Sequence, residues 1–310
     1  MVDSIRIKAT GSVSNVACGF DCLGYSMEKP GDEITLTKNK LDEINITISG
    51  IQAEKIPINP VKNTAGKAII SMLSYLELSH GFDLHIKKGI PPGSGIGSSA
   101  SSAVGAVFAL NKILGNPLNE EELMIHAMEG EFVASGSRHA DNVGPSLYGG
   151  MVLIRNYKPL DIIHIPVPEC LWNITILPYY EVNTKDARKI LPKYVSLSSA
   201  VQQTGNLAGF ILGCINSDFN LISRSMEDLF AEPLRKKLIP GYEIVKNSAI
   251  ENGAIGCGIS GSGPSMFALS TNQQTAELVA KKMQFSFKKS GLESKSYVSK
   301  INKNKPQILD

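Results

Sequence analysis

No stretch of this 310-residue chain stays apolar for the roughly 18 residues that a membrane-crossing helix needs. Residues 1–8 lack the apolar core of a secretion leader. Charge imbalance is also missing: 31 basic and 29 acidic residues leave a net +2. That predicts neither nucleic acid nor an anionic membrane as the main partner. The five cysteines, at 18, 22, 170, 214 and 257, form no CxxC pair, and no His or Cys cluster completes a zinc site around Cys18 and Cys22. Free, mostly buried thiols suit a reducing cytoplasm, so the sequons at Asn45 and Asn173 read as chance matches. No internal repeat is visible.

What the chain does have is an ordinary globular balance, 43% apolar and 19% charged, over a length that suits two packed domains. Apolar and polar residues alternate at 5–9, 33–37, 44–48 and 82–87, as in half-buried strands. Ile69, Leu73 and Leu76 have helical spacing within 63–77. A helix of small apolar residues is expected over 103–114, and a second one starts at Asn119 with Glu122 completing a capping box. Further strands are expected at 151–154, 172–177, 265–269 and 295–301, and helices near 197–217, 218–230, 241–252 and 273–290. The three prolines in 156–168 predict a border there, giving domains 1–155 and 156–310. The Lys-rich tail after residue 300 is expected to fray.

Residues 91–102 carry the chemistry. Three glycines let backbone approach a ligand at positive φ, and serines follow where the loop enters a helix. A helix start offers unpaired N–H groups and the positive end of the dipole, which suits phosphate. Gly93, Gly95 and Gly97 fit neither the Walker spacing, which also needs a lysine, nor GxGxxG. A literal GxGxxG at Gly256, Gly258 and Gly261 follows a helix and precedes Pro264, so it is no dinucleotide site. Glu131 lies on one helical line with Leu123 and Ala127, and an acid on an apolar line needs a partner such as Mg²⁺.

The pattern PxxxGxGSSA, formed by Pro91, Gly95, Gly97, Ser98, Ser99 and Ala100, resembles the phosphate loop of the GHMP kinases. Residues 258–265 resemble that family's third motif. Residues 12–21, 138–142, 182–188 and 232–241 are similar to segments of the branch that acts on L-homoserine. The resemblance implies an α+β GHMP kinase fold, with an N-terminal ribosomal-protein-S5-like half and a C-terminal ferredoxin-like half. It implies transfer of phosphate from ATP to the side-chain hydroxyl of L-homoserine, a step toward threonine. By the same resemblance the ATP phosphates lie on Pro91, Pro92, Gly93, Ser94, Gly95, Ile96, Gly97, Ser98, Ser99, Ala100 and Ser101, with Thr184 nearby. Asn63 and Thr64 lie near adenine, and Ser99 and Glu131 hold Mg²⁺. Arg188 and Arg235 match carboxylate positions. Asn15, Asp21 and Asp141, with His139 close by, match ammonium positions. Asn142 stands where mevalonate-type relatives carry a basic Asp, so it is expected to position the hydroxyl while the proton passes to a phosphate oxygen. The resemblance also allows a homodimer. Two readings stay open: a GHMP kinase for another alcohol, and a catalytically silent ligand sensor.

Overall fold

The computed structural model describes residues 3–310. Strand β1 (Ser4–Ser14) runs antiparallel to the long β2 (Leu23–Lys38), and β3 (Ile44–Gly50) leads through a 3-10 turn (Ala53–Lys55) into helix α1 (Thr64–Tyr75). The chain returns as β4 (Phe82–Lys88), antiparallel to β2 and parallel to β3. Three helices follow, α2 (Ser98–Ile113), α3 (Glu120–Ser135) and α4 (Ala140–Tyr148), then a hairpin of β5 (Met151–Tyr157) and β6 (Leu160–Ile165). A second sheet begins with β7 (Trp172–Pro178). After it come α5 (Thr184–Lys189), α6 (Leu197–Asn216), α7 (Phe219–Ser225), α8 (Glu232–Arg235) and α9 (Tyr242–Glu251). It is completed by β8 (Gly256–Ile259), β9 (Met266–Ser270), α10 (Gln273–Lys289) and β10 (Ser294–Lys300), while β11 (Gln307–Leu309) returns to the first sheet beside β1.

The larger sheet has the order β11-β1-β2-β4-β3, with β5 and β6 continuing from β2; the smaller is β10-β7-β9-β8. Strand β4 shows why these residues form strands. Phe82, Leu84 and Ile86 point into the core on the two-residue period, while Asp83, His85 and Lys87 point away. Helices α1 to α4 close that face of the first sheet. Helices α9 and α10 close one face of the second. A third apolar cluster, including Val13, Tyr25, Phe210 and Phe267, binds the sheets to each other. There the Tyr25 hydroxyl, at 2.6 Å from Asn173 Oδ1, has its polar tip satisfied. Each large side chain fully buried in these cores contributes about 1.5–3 kcal/mol.

Several expected elements differ from what is observed. Helix α2 begins at Ser98, five residues before the apolar run, because the serines form its first turn. The proline-bearing stretch 156–168 contains β6, and the division expected after residue 155 falls inside β5; the chain passes to the second sheet across 166–171. The tail does not fray throughout, since residues 307–309 pair with β1. Helix α7 ends at Ser225, not near 230. Helix α4 forms although it contains Gly144 and Pro145. Pro145 cannot donate to the Asp141 carbonyl, and Gly24 of β2 lies against that carbonyl so closely that a Cβ there would sit 1.9 Å from it.

Candidate active site

A cleft enclosing about 420 Å³ opens where the start of α2, the ends of α3 and α5, and the start of α4 meet the 12–21 and 258–263 segments. The phosphate-type loop forms one wall. Gly93, Gly95 and Gly97 all have positive φ, at 67, 78 and 70°. Two of them also sit where a side chain has no room. A Cβ on Gly95 would meet the Gly263 and Ser260 carbonyl oxygens at 2.6 and 2.7 Å, and one on Gly97 would meet Ser12 Oγ at 2.3 Å. The 258–263 segment thus braces the loop, and the Ser260 hydroxyl donates to the Gly95 carbonyl at 2.7 Å. The first intrahelical bond of α2 runs from Ser101 N–H to the Gly97 carbonyl. The N–H groups of Ser98, Ser99 and Ala100 therefore have no helical acceptor, a ready seat for phosphate oxygens.

Beneath the loop lies a buried ion pair that the motifs do not contain. Lys88 Nζ meets Asp32 Oδ2, with both side chains almost wholly enclosed. Lys88 also donates to the Ser98 carbonyl at 3.0 Å and to Ser102 Oγ at 2.8 Å. Asp32 Oδ1 accepts from the Gly89 and Ile90 N–H groups. A buried pair with its remaining valences satisfied escapes most of its desolvation penalty and fixes geometry. Lys88 was legible by parity: it continues the inward register of Phe82, Leu84 and Ile86.

Glu131 projects into the cleft from α3, buried, with Oε2 lacking any hydrogen-bond partner. Burial pushes its carboxyl up to about 7; the neighbouring Ser99 hydroxyl opposes that rise and Asp141 adds to it. Among the described residues no group of three His, Cys, Asp or Glu side chains could hold a metal alone. One orphaned carboxylate oxygen beside a serine does fit Mg²⁺, which takes few protein oxygens and completes its shell with water and phosphate.

In the same cleft the charged residues converge. Arg188 of α5 and Arg235 of α8 both lie over the Phe20 ring, 5.3 and 5.4 Å from its centroid. Arg188 Nη1 donates to Asp21 Oδ2 at 2.5 Å, and His139 Nδ1 lies 3.7 Å from Asp21 Oδ1. Arg235 is 5% exposed and donates to the Gly261 carbonyl at 2.9 Å. Burial lowers its pKa, with Asp21 opposing and Arg188 reinforcing. Asn15 donates to the same Gly261 carbonyl at 3.0 Å and accepts from Asp21 N–H at 3.0 Å. Asp141, 2% exposed with Oδ1 unpartnered, has a carboxyl pushed up to about 6, chiefly by burial. Asn142 accepts from Ser12 Oγ at 2.9 Å and donates to Ser14 Oγ at 2.9 Å.

Of the residues expected at the site, Asn15, Asp21, Asn63, Thr64, Pro92, Gly93, Ser94, Gly95, Gly97, Ser98, Ser99, Glu131, His139, Asp141, Asn142, Thr184, Arg188 and Arg235 line this one cleft. Pro91, Ile96, Ala100 and Ser101 do not. Ile96 and Ala100 are packed in the core, and Ser101 Oγ donates to the Ala9 carbonyl. The 12–21 motif contains Ser12 and Ser14 without giving either a role, and no motif contains Lys55, Lys88 or Glu181. Lys55 and Glu181 pair at 2.9 Å at the cleft.

The family models for the GHMP kinases N terminal domain and the GHMP kinases C terminal match residues 63–150 and 210–289. A homoserine kinase of Chlorobium phaeobacteroides (strain BS1) is 44% identical, over 97% of this chain and 98% of its own length. The crystal structure of homoserine kinase from Cytophaga hutchinsonii superposes with a TM-score of 0.96 at 46% identity, over 100% of this chain and 98% of that one. The crystal structure of L. major mevalonate kinase in complex with R-mevalonate shares the fold alone, with a TM-score of 0.71 at 17% identity over 96% of each chain.

Proposed function

This chain belongs to the GHMP kinase family, among the homoserine kinases, and on that premise we propose how its cleft transfers phosphate from ATP to the side-chain hydroxyl of L-homoserine. The observation that carries the reading is the meeting of Arg188, Arg235, Asp21 and His139 in the same cleft as the start of α2. A small zwitterion with a terminal hydroxyl needs that layout: cations for its carboxylate, acids for its ammonium, and phosphate donors where the hydroxyl ends.

Phosphoryl transfer depends on positioning and charge stabilisation more than on covalent help from the protein. The N–H groups of Ser98, Ser99 and Ala100 take phosphate oxygens, and Thr184, at 3.4 Å from Ser262 Oγ, borders them from the second half. Asn63 caps α1 by accepting from Gly66 N–H, which sets the wall where adenine lies, beside Thr64. Glu131 and Ser99 are the protein oxygens that would hold Mg²⁺, and the ion would supply charge neutralisation for the phosphates. Arg188 and Arg235 grip the carboxylate in fork geometry. Asp21, Asn15 and Asp141, with His139, face the ammonium. Asn142 is a neutral amide and takes no proton. Held by Ser12 and Ser14, it orients the hydroxyl, whose proton passes to a phosphate oxygen. ATP lies between the two halves. Threonine synthesis as the pathway, a cytoplasmic setting and a homodimer complete the proposal; no helix among the described residues is long and apolar enough to cross a membrane.

The test is ADP release measured over homoserine, mevalonate, galactose and shikimate. Turnover of homoserine well above the others is expected. Preference for a sugar or for mevalonate would overturn the substrate assignment.

A further inference from the structure

Tyr157 belongs to none of the sequence motifs and does not line the cleft. It is the last residue of β5, at the tip of the hairpin with β6, and is 37% exposed. Its hydroxyl nevertheless joins the two segments that carry the charged end of the site. The phenol donates to the Asp21 carbonyl at 3.0 Å and accepts from Ala140 N–H at 3.3 Å. Ala140 is the first residue of α4, and the N-cap His139 offers no side-chain bond to the helix end. The tyrosine thus supplies an acceptor for an N–H that the helix leaves open.

The Asp21 side of the bridge matters more. Asn15, Val16, Ala17 and Asp21 all sit at positive φ, at 69, 41, 57 and 58°. Non-glycine residues hold such angles only where the surroundings over-determine them. Asp21 N–H is fixed by Asn15 Oδ1, and its carboxylate faces Arg188 and His139. Its carbonyl is fixed by Tyr157. Cys22 N–H, on the other side of the same peptide, donates to the Gly19 carbonyl at 3.0 Å, so Tyr157 supplies one of the two bonds that hold the peptide after Asp21, and its loss loosens the backbone that carries the carboxylate.

Building on the homoserine reading above, we propose that Tyr157 is a positioning residue for amino-group recognition: its hydroxyl locks Asp21 and the start of α4 in the orientation that faces the substrate ammonium. It touches neither substrate nor ATP and acts only through Asp21 and the His139–Asp141 turn.

Tyr157→Phe removes one hydroxyl from a partly exposed ring and leaves the ring itself in place. A backbone-directed hydrogen bond of this kind corresponds to about three- to tenfold in an affinity. The Michaelis constant for homoserine should rise by that factor, with the ATP constant and the turnover number nearly unchanged. The discrimination of homoserine over 4-hydroxybutanoate, which lacks only the amine, should fall by a similar factor. In an Asp21→Asn background the Phe substitution should have a much smaller effect, since the group it aims is gone. Equal effects on both Michaelis constants would mark a merely structural residue and overturn the proposal. Full additivity with Asp21→Asn, or unchanged discrimination, would do the same. The substrate reading is checked separately: if the unaltered chain fails to turn over homoserine, that reading falls, whereas an active wild type with an unaffected Phe variant removes only the role of Tyr157.

Discussion

Glu131 is under two opposed demands. It must be ionised to hold a cation, yet burial raises its carboxyl from 4.5 to about 7. Because the folded value lies above the unfolded one, the ligand-free folded chain favours the neutral acid. That contribution to stability is whole below about pH 4.5 and is lost as pH rises through 7, up to about 3 kcal/mol. Glu131→Gln cannot ionise and escapes the loss. The ligand-free variant should therefore unfold at higher temperature than wild type at pH 8 and differ little near pH 4.5, while its turnover falls by orders of magnitude. Thermal melts at the two pH values, with an Mg²⁺ titration of activity, check this; an active Gln variant with unchanged Mg²⁺ dependence contradicts the metal role. The residue was legible in sequence because an acid on the line of Leu123 and Ala127 is chemically out of place. Asp32 was not legible. It falls in a strand of mixed polarity, and only the fold brings it 56 positions along the chain to Lys88.

Among the elements, the proposal rests most on α2 and its loop; the glycine spacing and small helix formers predict a loop that enters a helix, and α2 is capped at Gly97. The start of α2 was misplaced because serine favours caps and turns over helix interiors; here the serines are the first turn. Strands β8 and β6 were hidden for local reasons as well. Two glycines in β8 and prolines around β6 read as breakers, and only pairing with β9 and β5 makes strands of them. Two predictions belong to this element. Gly97→Val would place a branched side chain at φ 70° and against Ser12 Oγ. Calorimetry should show ATP binding lost while homoserine binding survives, and normal ATP affinity would count against the loop assignment. Asp32→Ala would leave Lys88 buried and unpaired under Ser98. A loss of about 3–5 kcal/mol is expected from denaturant unfolding, and a near-neutral result would mean that water or movement relieves the charge.

At the scale of the whole molecule, the charged part of the cleft exists only because distant parts of the chain close on one another. Arg188 comes from α5, Arg235 from α8, and Phe20 and Asp21 from the segment between β1 and β2. Sequence placed each arginine only by resemblance, because nothing local distinguishes a ligand-gripping arginine from a solvated one. In the fold neither is a free surface charge: Arg235 is almost wholly buried, and Arg188 is held by Asp21. If both grip the carboxylate, a substrate without that group loses two charge-assisted contacts, each contributing about 1.5–3 kcal/mol. 3-Aminopropan-1-ol is homoserine minus the carboxylate, and its kcat/KM should lie roughly two to four decades below that of homoserine. Arg188→Lys keeps a cation near Asp21 but loses the planar fork. Arg235→Lys is the less clean test, because Arg235 also donates to the Gly261 carbonyl that braces Asn15. The Arg188 variant should therefore lose most of its advantage with homoserine and hardly change with 3-aminopropan-1-ol. Equal damage to both substrates would place Arg188 with ATP or with the fold. Equal turnover of the two alcohols by the unaltered chain would mean that the paired arginines do not read a carboxylate at all.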